Sequence, residues 1–456
     1  MQTRRDQVQA HRFVVNRLTT GMLRAEPDVP EPPTVRTTQG LLVGACLAVI
    51  VCVGAVVYGV VTGGGDAWRK AGTVVTESET GARFVYLDGS LHPLLNYSSA
   101  RLLAGHEPEM HRVGRDALRN VPRGAPLGIP GAPDALPPQS RLTADPWQVC
   151  SDGGKTVLDV ASAPSGGALD DKHALVVSGP DKARYLLWRG HRLKIGQAAL
   201  GALGYGAVTP YPVGAPFLNA VAAGPELAAP VLPGAGKPGT PVAGRPAKVG
   251  QLFVLHVAGG SDQYYQLRRE GLTPLTATLF DLYRTDAGEP RVLSSATTSV
   301  APPPDDGLPP APPAPAAAGS GGLPCVRIAP GADTADVAVS LVPQDRVGGR
   351  SVTAQPNTAP SCAAPDLIGT RPGHGVLAAA LPAAGRPRVA TDYLVTDEGV
   401  KYPVPNADAA KALGYSGDVM LPGTVLDLLP TGPVLDAGAV RSGSASAPVL
   451  PCAMGW

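Results

Sequence analysis

The feature that most constrains this chain is an apolar stretch from Gly40 to Val61, GLLVGACLAVIVCVGAVVYGVV. No charged residue occurs from Thr37 to Gly65. At about 1.5 Å of rise per residue, a helix over this stretch is long enough to cross a hydrocarbon core of about 30 Å. A buried helix of a soluble protein is the alternative, but such helices rarely stay apolar on every face for this length. The sequence therefore predicts a transmembrane helix over residues 40–61.

The charges on either side of this stretch indicate its orientation. Six arginines precede it, whereas Asp66 lies close to the two basic residues that follow, Arg69 and Lys70. The positive-inside rule then places residues 1–39 in the cytoplasm and the bulk of the chain outside the membrane. A cleaved signal peptide is the alternative, but its apolar region would be shorter and nearer the N-terminus. We therefore expect a single-pass protein of the cell (inner) membrane with an uncleaved anchor.

Composition narrows the class of protein outside the membrane. The formal net charge of +1 argues against a nucleic-acid-binding surface. Charged residues make up 16% and aromatic residues 5%, while the chain contains 56 glycines and 50 prolines. This balance is typical of a loop-rich β or α+β body with disordered connections, and not of a large helical bundle.

Six cysteines divide into two groups. Two lie inside the predicted transmembrane helix, where cysteine acts as a small apolar residue, and four lie outside it: Cys150, Cys325, Cys362 and Cys452. An even number in an exported region predicts two disulfides, and sequence alone allows three pairings. Pairing by nearest context favours Cys150 with Cys325 and Cys362 with Cys452. Zinc is the alternative, but C-x-x-C pairs and histidines at ligand spacing are missing.

Residues 4–24 have the pattern of a basic amphipathic helix. Apolar residues recur at i, i+4 spacing among arginines: Ala10, Val14, Leu18 and Met22. Two interpretations stay open. The helix lies on the anionic inner leaflet of the membrane, or it docks a cytoplasmic partner. In the second case the docking residues are Arg12, Phe13 and Arg17.

Four later segments share one pattern: an apolar strand carrying Tyr, a turn with Gly, a second short apolar stretch and a short helix. Their turn glycines are Gly89, Gly190, Gly271 and Gly399. In the first and last segments, Asn96 and Asn406 stand where each can cap the first turn of a helix. The spacing between segments is not constant, which argues against a stacked solenoid. The sequence thus predicts an α+β fold, in which a single transmembrane helix precedes an elongated extracytoplasmic region of four ββα-type repeats around a mainly β central core.

These features predict the boundaries along the chain. The segments are a cytoplasmic basic helix and linker (1–39), the transmembrane helix (40–61), repeat 1 (62–120), the N-terminal half of the core (121–179), repeat 2 (180–230), a linker (231–248), repeat 3 (249–298), a Pro/Ala linker (299–322), the C-terminal half of the core (323–388), repeat 4 (389–436) and a C-terminal tail (437–456). HALVVSG, PCVRIAP and DVAVSLVP are the predicted core strands. The Pro/Ala tract is predicted to be an extended linker or loop, and the tail after Asp436 is predicted to be mobile unless Cys452 tethers it.

The strongest candidate for catalysis is the run SDGGKT at residues 151–156. A phosphate-binding loop needs G-x-x-x-x-G-K-[ST], so that backbone amides wrap the phosphates, but Val149 stands where the first glycine is required. A polar hairpin turn is favoured, because Gly-Gly is a common turn dipeptide. H-E-x-x-H and G-x-S-x-G are also missing. We therefore predict no catalytic, cofactor-binding or metal-binding residue.

Several long stretches of the chain share their residues with one known family. They are QVQAHRFVVNRL before the span, TGARFVYLDGSLHPLLNYSSARLLAG after it, GAPLGIPGAPDALP, WQVC, and YLVTDEGVKYPVPNADAAKALGY followed by LLPTGPVLD. Over nearly its whole length the chain resembles EccB, the single-span component of actinobacterial type VII (ESX) secretion systems.

The resemblance implies four repeats around a central core outside the membrane. It also implies assembly with EccC, EccD, EccE and other copies of the chain, and it supports the Cys150–Cys325 disulfide. The Pro/Ala tract near residue 310 and the pair Cys362 and Cys452 depart from the family pattern. An ATPase role is associated with the family, but the incomplete GGKT run gives that role no physical support.

Three functions are therefore compared. The leading hypothesis is a structural and assembly subunit of a secretion complex, which anchors an extracytoplasmic scaffold to an inner-membrane channel. The alternatives are a membrane-anchored module that binds the cell wall, and a periplasmic ATPase.

Overall fold

The computed structural model describes residues 4–24, 34–62, 66–105, 107–161, 167–294, 307–316, 321–351, 355–382, 387–388 and 390–443. Within these residues the fold is mixed α+β. The α-helices are α1 (Arg4–Arg24), α2 (Thr34–Thr62), α3 (Tyr97–Ala104), α4 (Arg115–Leu118), α5 (Gln197–Ala202), α6 (Ala215–Ala220), α7 (Ala277–Ala287), α8 (Ala407–Ala412), α9 (Gly423–Leu426) and α10 (Ala437–Ser442). Short 3₁₀ turns cover Asp66–Arg69, Gln139–Arg141 and Gln344–Arg346.

The strands are short and mostly arranged in separate sheets. They are β1 (Val74–Glu77), β2 (Arg83–Leu87), β3 (Ser90–Pro93), β4 (Met110–Val113), β5 (Trp147–Asp152), β6 (Lys155–Asp159), β7 (His173–Ser178), β8 (Arg184–Trp188), β9 (His191–Ile195), β10 (Tyr211–Pro212), β11 (Ala222–Ala223), β12 (Pro238–Val242), β13 (Arg245–Lys248), β14 (Leu252–Leu255), β15 (Gln263–Arg268), β16 (Gly271–Leu275), β17 (Arg291–Val292), β18 (Ala314–Pro315), β19 (Gly322–Pro330), β20 (Ala335–Pro343), β21 (Arg350–Ser351), β22 (Leu367–Gly369), β23 (Val376–Ala380), β24 (Asp392–Val395), β25 (Lys401–Val404) and β26 (Val419–Leu421).

Helix α2 contains the predicted transmembrane stretch. Among the described residues it is the one helix long and apolar enough to cross a membrane, over Thr37–Val57, and none of that stretch is buried in the protein. A fully exposed apolar helix of this length is stable only in an apolar solvent such as the bilayer core.

The chain divides into two compact units, of which the first comprises Met1–Lys70, Val75–Ala82 and Met110–Asn120. Besides α1 and α2, this unit contains the end of β1, strand β4 and helix α4. Arg115 in α4 donates to a carboxylate oxygen of Glu77 at 2.9 Å, and its backbone N–H donates to Glu79. The second unit contains the remaining strands and helices and is described on its own below.

Three sheets of the second unit repeat one strand order. The fourth-segment sheet runs β25-β24-β23-β26, the third runs β16-β15-β14-β17, and the second contains β9-β8-β7-β10. In each, three consecutive strands pair antiparallel, a short helix follows the third strand, and the next strand pairs parallel to the first. The first segment contributes the antiparallel hairpin β2–β3 and helix α3 to this unit.

Local sequence explains where the helices of these segments start. The side-chain oxygens of Asn96 and Asn406 accept from the N–H groups of Ser99 and Ala409, as predicted for N-caps. The Thr276 hydroxyl caps α7 in the same way, because it accepts from the Leu279 N–H.

A six-stranded sheet of order β20-β19-β5-β6-β22-β21 lies between these segments in sequence. This sheet, called the central sheet below, borders the main core cluster, in which the large side chains of Trp147 and Leu158 from the sheet and of Phe217 from α6 are completely buried. PCVRIAP and DVAVSLVP form β19 and β20 of this sheet, as predicted.

HALVVSG is predicted to be a core strand, and its Leu175 and Val177 do belong to the main core cluster, but it lies outside the central sheet. These residues form β7, which pairs with β8 in the second-segment sheet. Likewise β23, which lies inside the predicted C-terminal half of the core, pairs with β24 in the fourth-segment sheet. Both strands are continuous apolar runs with a neighbouring strand on each side. Their sequences show no polar–apolar alternation and no turn residue that would assign them to one sheet.

The two predicted linkers both contain strands. Residues 238–248 form the β12–β13 hairpin, closed by Ala243 and Gly244 at positive φ, and its Val242 and Ala247 are buried against β14 and β15. Described residues of the Pro/Ala tract are also held to the second unit by hydrogen bonds. A proline has no N–H to donate, but its carbonyl oxygen can still accept. The carbonyl of Pro310 accepts from the Ala277 N–H, and that of Pro313 accepts from the Tyr205 hydroxyl.

The C-terminal tail, predicted to be mobile unless Cys452 tethers it, begins with helix α10, and packing within the described residues holds residues 437–442 in place. Asp436 caps α10, and Val440 is fully buried in a cluster with Leu102 and Ile129. The apolar anchor in DAGAVRS was a single valine, too little signal for a sequence-based prediction of packing. Residues 444–456, including Cys452, lie outside the described residues.

Candidate interaction sites

Helix α1 presents the predicted docking residues on a fully accessible helix. Arg12, Phe13 and Arg17 are exposed, with Phe13 66% exposed. Phe13 and Arg17 are four residues apart and therefore share one side of the helix, while Arg12 lies about 100° away from Phe13. Further exposed apolar side chains are Val8, Val14, Val15, Leu18 and Met22. A helix with this much apolar surface in water requires a membrane or a protein partner to cover it.

The four predicted turn glycines all have positive φ, at 77°, 72°, 124° and 76° in chain order. Gly89 and Gly190 close two-residue hairpin turns, whereas Gly271 opens strand β16. Two of the turns touch the central sheet. A Cβ on Gly190 would lie 2.4 Å from the carbonyl oxygen of Val337 in β20, and one on Gly399 would lie 3.1 Å from Ile368 in β22. These two glycines therefore permit close packing of the second and fourth segments on the core.

The described cysteines outside the span lie at two places in the second unit. Cys150 in β5 and Cys325 in β19 are direct cross-strand partners and form a disulfide, 175 residues apart in sequence. Cys362 is exposed and disulfide-bonded, but its predicted partner Cys452 is not among the described residues, so that pairing stays a prediction. Cys46 and Cys52 of the span are free thiols.

The GGKT run forms a hairpin turn. Gly153 and Gly154, both at positive φ, join β5 to β6, and Asp152 pairs with Lys155 across the turn. A phosphate-binding loop instead leads into a helix, whose first N–H groups hold the phosphate. Strand β6 follows here: it pairs with β5 on one side and β22 on the other, and the Thr156 N–H donates to the Asp366 carboxylate at 2.7 Å, so these N–H groups do not converge on a phosphate.

A carboxyl at the end of β6, that of Asp159, is half-buried and has no hydrogen-bond partner among the described residues. No hydrogen bond reaches the Asp159 carboxylate from any described residue, and its burial raises the pKa of this group to about 6. The side chain stands against Gly369, where a Cβ would lie within 2.2 Å of its oxygen. Desolvation of an unpaired carboxylate disfavours its charged form, which explains the direction of the pKa shift.

A cleft of about 700 Å³ between the second segment, the 359–363 loop and the fourth segment contains a buried lysine. Lys401 is 1% exposed, and its Nζ donates to the Leu426 carbonyl at 2.8 Å and to the Asp427 carboxylate at 3.1 Å. Burial lowers the pKa of Lys401, opposed by Asp427. The Tyr393 ring lies 5.5 Å from Nζ. These contacts give the ammonium a structural role, since it holds the end of α9 beside β25.

Lys401 was missed in the sequence because its partners are 25 and 26 residues away in the chain. The one available signal is a lysine inside the apolar run VKYPV. Within the described residues of the chain, no group of three or more His, Cys, Asp or Glu side chains is placed to hold a metal ion.

Comparison with known proteins gives concordant matches. The family model described as "Type VII secretion system ESX-1, transport TM domain B" matches residues 1–448. The ESX-3 secretion system ATPase EccB3 of Mycolicibacterium smegmatis is 29% identical, over 95% of this chain and 89% of its own length. The ESX-1 secretion system ATPase EccB1 of Mycobacterium tuberculosis is 26% identical, over 96% and 94%.

Solved structures share the fold. An EccB3 dimer from the ESX-3 core complex superposes with a TM-score of 0.64 at 26% identity, covering 81% of this chain and 99% of that one. A chain of the intact ESX-5 inner membrane complex superposes with a TM-score of 0.67 at 24% identity, covering 100% and 98%. The second match shows the fold alone.

Proposed function

The chain belongs to the EccB family of type VII secretion systems, and from this membership we propose that it links a cytoplasmic docking helix to an extracytoplasmic assembly scaffold. The protein is a structural subunit of a type VII secretion complex. The observation that carries the proposal is the position of α2, an uncovered apolar helix between the basic helix α1 and the disulfide-bonded α+β body.

The proposed orientation places α1 in the cytoplasm and the second unit outside. It is supported by the arginines that precede the span and by the disulfide after it, since disulfides persist in oxidising compartments. The test uses right-side-out membrane vesicles and a maleimide that does not cross membranes. We expect a Thr19→Cys variant to stay unlabelled until the vesicles are lysed and an Asp262→Cys variant to be labelled at once. Labelling of Thr19→Cys in sealed vesicles would contradict the proposed orientation.

The proposed partners are EccC, EccD, EccE and further copies of this chain, with α1 docking on the cytoplasmic side. Two exposed residues on one side of α1 support this role, Phe13 and Arg17. We expect a Phe13→Glu, Arg17→Glu variant to lose most of the co-purifying channel subunits after mild detergent extraction. His11→Glu is the matched control, because His11 lies on the opposite side of the helix. If α1 only rests on lipid, the double variant still co-purifies with its partners. An α1 peptide with the same two substitutions then binds anionic vesicles less well than the parent peptide.

We further propose that the four segments are copies of one structural unit and that their exposed faces contact neighbouring subunits. The shared strand order of three sheets and the shared hairpin and capped helix of the first segment support this. The second and fourth units would begin one strand before their predicted starts, at β7 and β23, whereas the third would begin with β14, inside its predicted range. The boundaries can be tested by expressing residues 172–228 alone, since a unit that includes β7 should give protected amides in hydrogen exchange and one lacking it should not.

The word ATPase stands in the names of the related proteins. In this chain the hairpin geometry of GGKT gives a phosphate no helix N-terminus. A Lys155→Ala variant of the full chain should therefore keep its assembly with partners and any hydrolysis measured for the purified protein.

A further inference from the structure

A groove beside the third-segment sheet has an unsatisfied polar group at its base. Its volume is about 880 Å³. Its walls are the loop 229–236, the β12–β13 hairpin and the last turn of α7, and Gln266 of strand β15 lies at its floor. Neither the transmembrane anchor nor the central sheet contributes a residue to it.

The polar group is the Gln266 amide. Gln266 is 1% exposed, and its Oε1 has no hydrogen-bond partner among the described residues. Strand alternation places it on the same face of β15 as Tyr264, whose ring stacks on Phe280 of α7 at 4.3 Å. The amide therefore lies under α7, where that helix borders the groove. A buried amide without a hydrogen-bond partner destabilises the folded protein, and a ligand can remove that cost by supplying the missing bond.

The walls above this amide are apolar and firmly held. Their apolar members are Pro230, Val231, Leu232, Ala235, Pro238 and Pro246. Val231 is 94% exposed, which is unusual for a valine next to a concave surface. The Tyr283 hydroxyl of α7 donates to the Pro230 carbonyl at 3.0 Å and so fixes the loop that carries Val231. The groove is therefore a formed feature with an uncovered apolar rim.

The charges on the lining favour a cation. Asp286 and Glu289, at and just after the end of α7, are both exposed and line the groove, against a single basic residue, Lys248. The last turn of a helix also carries partial negative charge, which adds to the attraction for a positive group. A bound lysine or arginine side chain would complement this end of the groove.

We propose that this groove binds an extended peptide segment of a partner protein, with apolar residues against Val231 and the prolines and a lysine or arginine against Asp286 and Glu289. The Gln266 amide offers a donor and an acceptor, which matches one peptide group of such a segment. A glycan fits less well, because sugar rings stack on open aromatic faces. Among the groove residues the one aromatic ring is Tyr283, which is 7% exposed.

The test measures binding of labelled peptides to the full chain in detergent by fluorescence anisotropy. The probes are the acetylated, amidated hexapeptide APVKVP and its counterpart APVEVP, with N-acetylglucosamine oligomers as competitors. We expect APVKVP to bind more tightly than APVEVP. We expect Gln266→Leu to weaken the binding of APVKVP roughly tenfold, and the double variant Asp286→Lys, Glu289→Lys to weaken it by a similar factor. Such a change in affinity is about the value of one charge-assisted or buried hydrogen bond.

Matched variants separate the groove from the rest of the surface. Val231→Asp should abolish binding, whereas Val292→Asp, at an exposed valine outside the groove, and Asp408→Lys, on α8, should leave it unchanged. Gln266→Leu replaces an unpaired polar group with an apolar one of similar size, so the fold is expected to persist and thermal melting verifies it. The proposal is overturned if neither peptide binds, if Gln266→Leu binds APVKVP as well as the parent chain does, or if the oligosaccharides displace the probe.

Discussion

The third and fourth segments have sheets of the same strand order, yet they differ in whether a buried polar side chain has hydrogen-bond partners. In the fourth, Lys401 is enclosed and reaches two acceptors of its own chain, the Leu426 carbonyl and Asp427. In the third, Gln266 is equally enclosed but its Oε1 has no such partner among the described residues. A polar group satisfied within the chain fixes the fold, and one left unsatisfied beside a groove is available to a ligand. Identical topology therefore does not imply an identical role.

The largest expected effect in this comparison comes from Lys401. Lys401→Ala removes one of the two donors to the Leu426 carbonyl, the other being the Leu429 N–H, and opens a cavity under Tyr393, so we expect a loss of about 3 kcal/mol in the free energy of unfolding. Lys401→Met, which keeps the apolar stem, should lose clearly less. Urea denaturation gives the size of the loss, and hydrogen exchange over residues 423–432 shows whether the damage is local. Unchanged exchange in that segment would mean that the lysine does not hold α9.

Asp159 in the central sheet provides a second unpaired group, this time ionisable. Its folded-state pKa of about 6 lies above the ordinary 3.8, so the folded protein binds this proton more tightly than the unfolded chain does. The free energy of unfolding contributed by this group therefore falls as the pH rises from 3.8 to about 6 and stays low above that.

Asp159→Asn should remove this pH dependence and stabilise the protein at pH 7 by roughly 2 kcal/mol, after allowance for solvent screening. Thermal melts at pH 4, 5, 6 and 7 compare the variant with the parent chain. Asp152→Asn, at the partly exposed β5–β6 turn, is the control, because this carboxylate has a hydrogen-bond donor in Gln344. A parallel pH profile for Asp159→Asn and parent would rule out the carboxyl as the titrating group.

The helix caps test whether the two segments are otherwise alike. Asn406 accepts from Ala409 at 2.9 Å and Thr276 from Leu279 at 3.2 Å. Asn406→Ala and Thr276→Ala should each cost about 1 kcal/mol, and Ser at either position should recover most of it. A large difference between the two alanine variants would show that local structure, and not only the buried polar group, separates the third segment from the fourth.

The smallest effect belongs to Gln266 and has the opposite sign from Lys401. Gln266→Leu should raise the free energy of unfolding by up to about 1 kcal/mol, because it removes a buried group that lacks a bond. Denaturation of the ligand-free protein measures this. A destabilisation as large as that of Lys401→Ala would make Gln266 a second structural group and would erase the contrast between the two segments.

Local signals carried the successful predictions. The glycine of each turn and the caps Asn96 and Asn406 depend on neighbouring backbone, so they are visible within a few residues of sequence. The transmembrane helix could be predicted from the length of the apolar stretch and its lack of charge alone. The boundaries failed where pairing is non-local, since β7 and β23 are uniform apolar runs whose partners are decided by tertiary packing. For the same reason neither Lys401 nor Gln266 was predicted, because the contacts that define each role come from distant residues.

The Cys150–Cys325 bond also has a mechanical consequence. It joins neighbouring strands of the central sheet and closes a covalent ring around the second and third segments. When a working secretion complex pulls on the chain before Cys150 and after Cys325, the tension passes through the sulfur atoms and bypasses the residues between them. The groove at Gln266 therefore lies in a stretch of chain that covalent tension bypasses for as long as that bond stays oxidised.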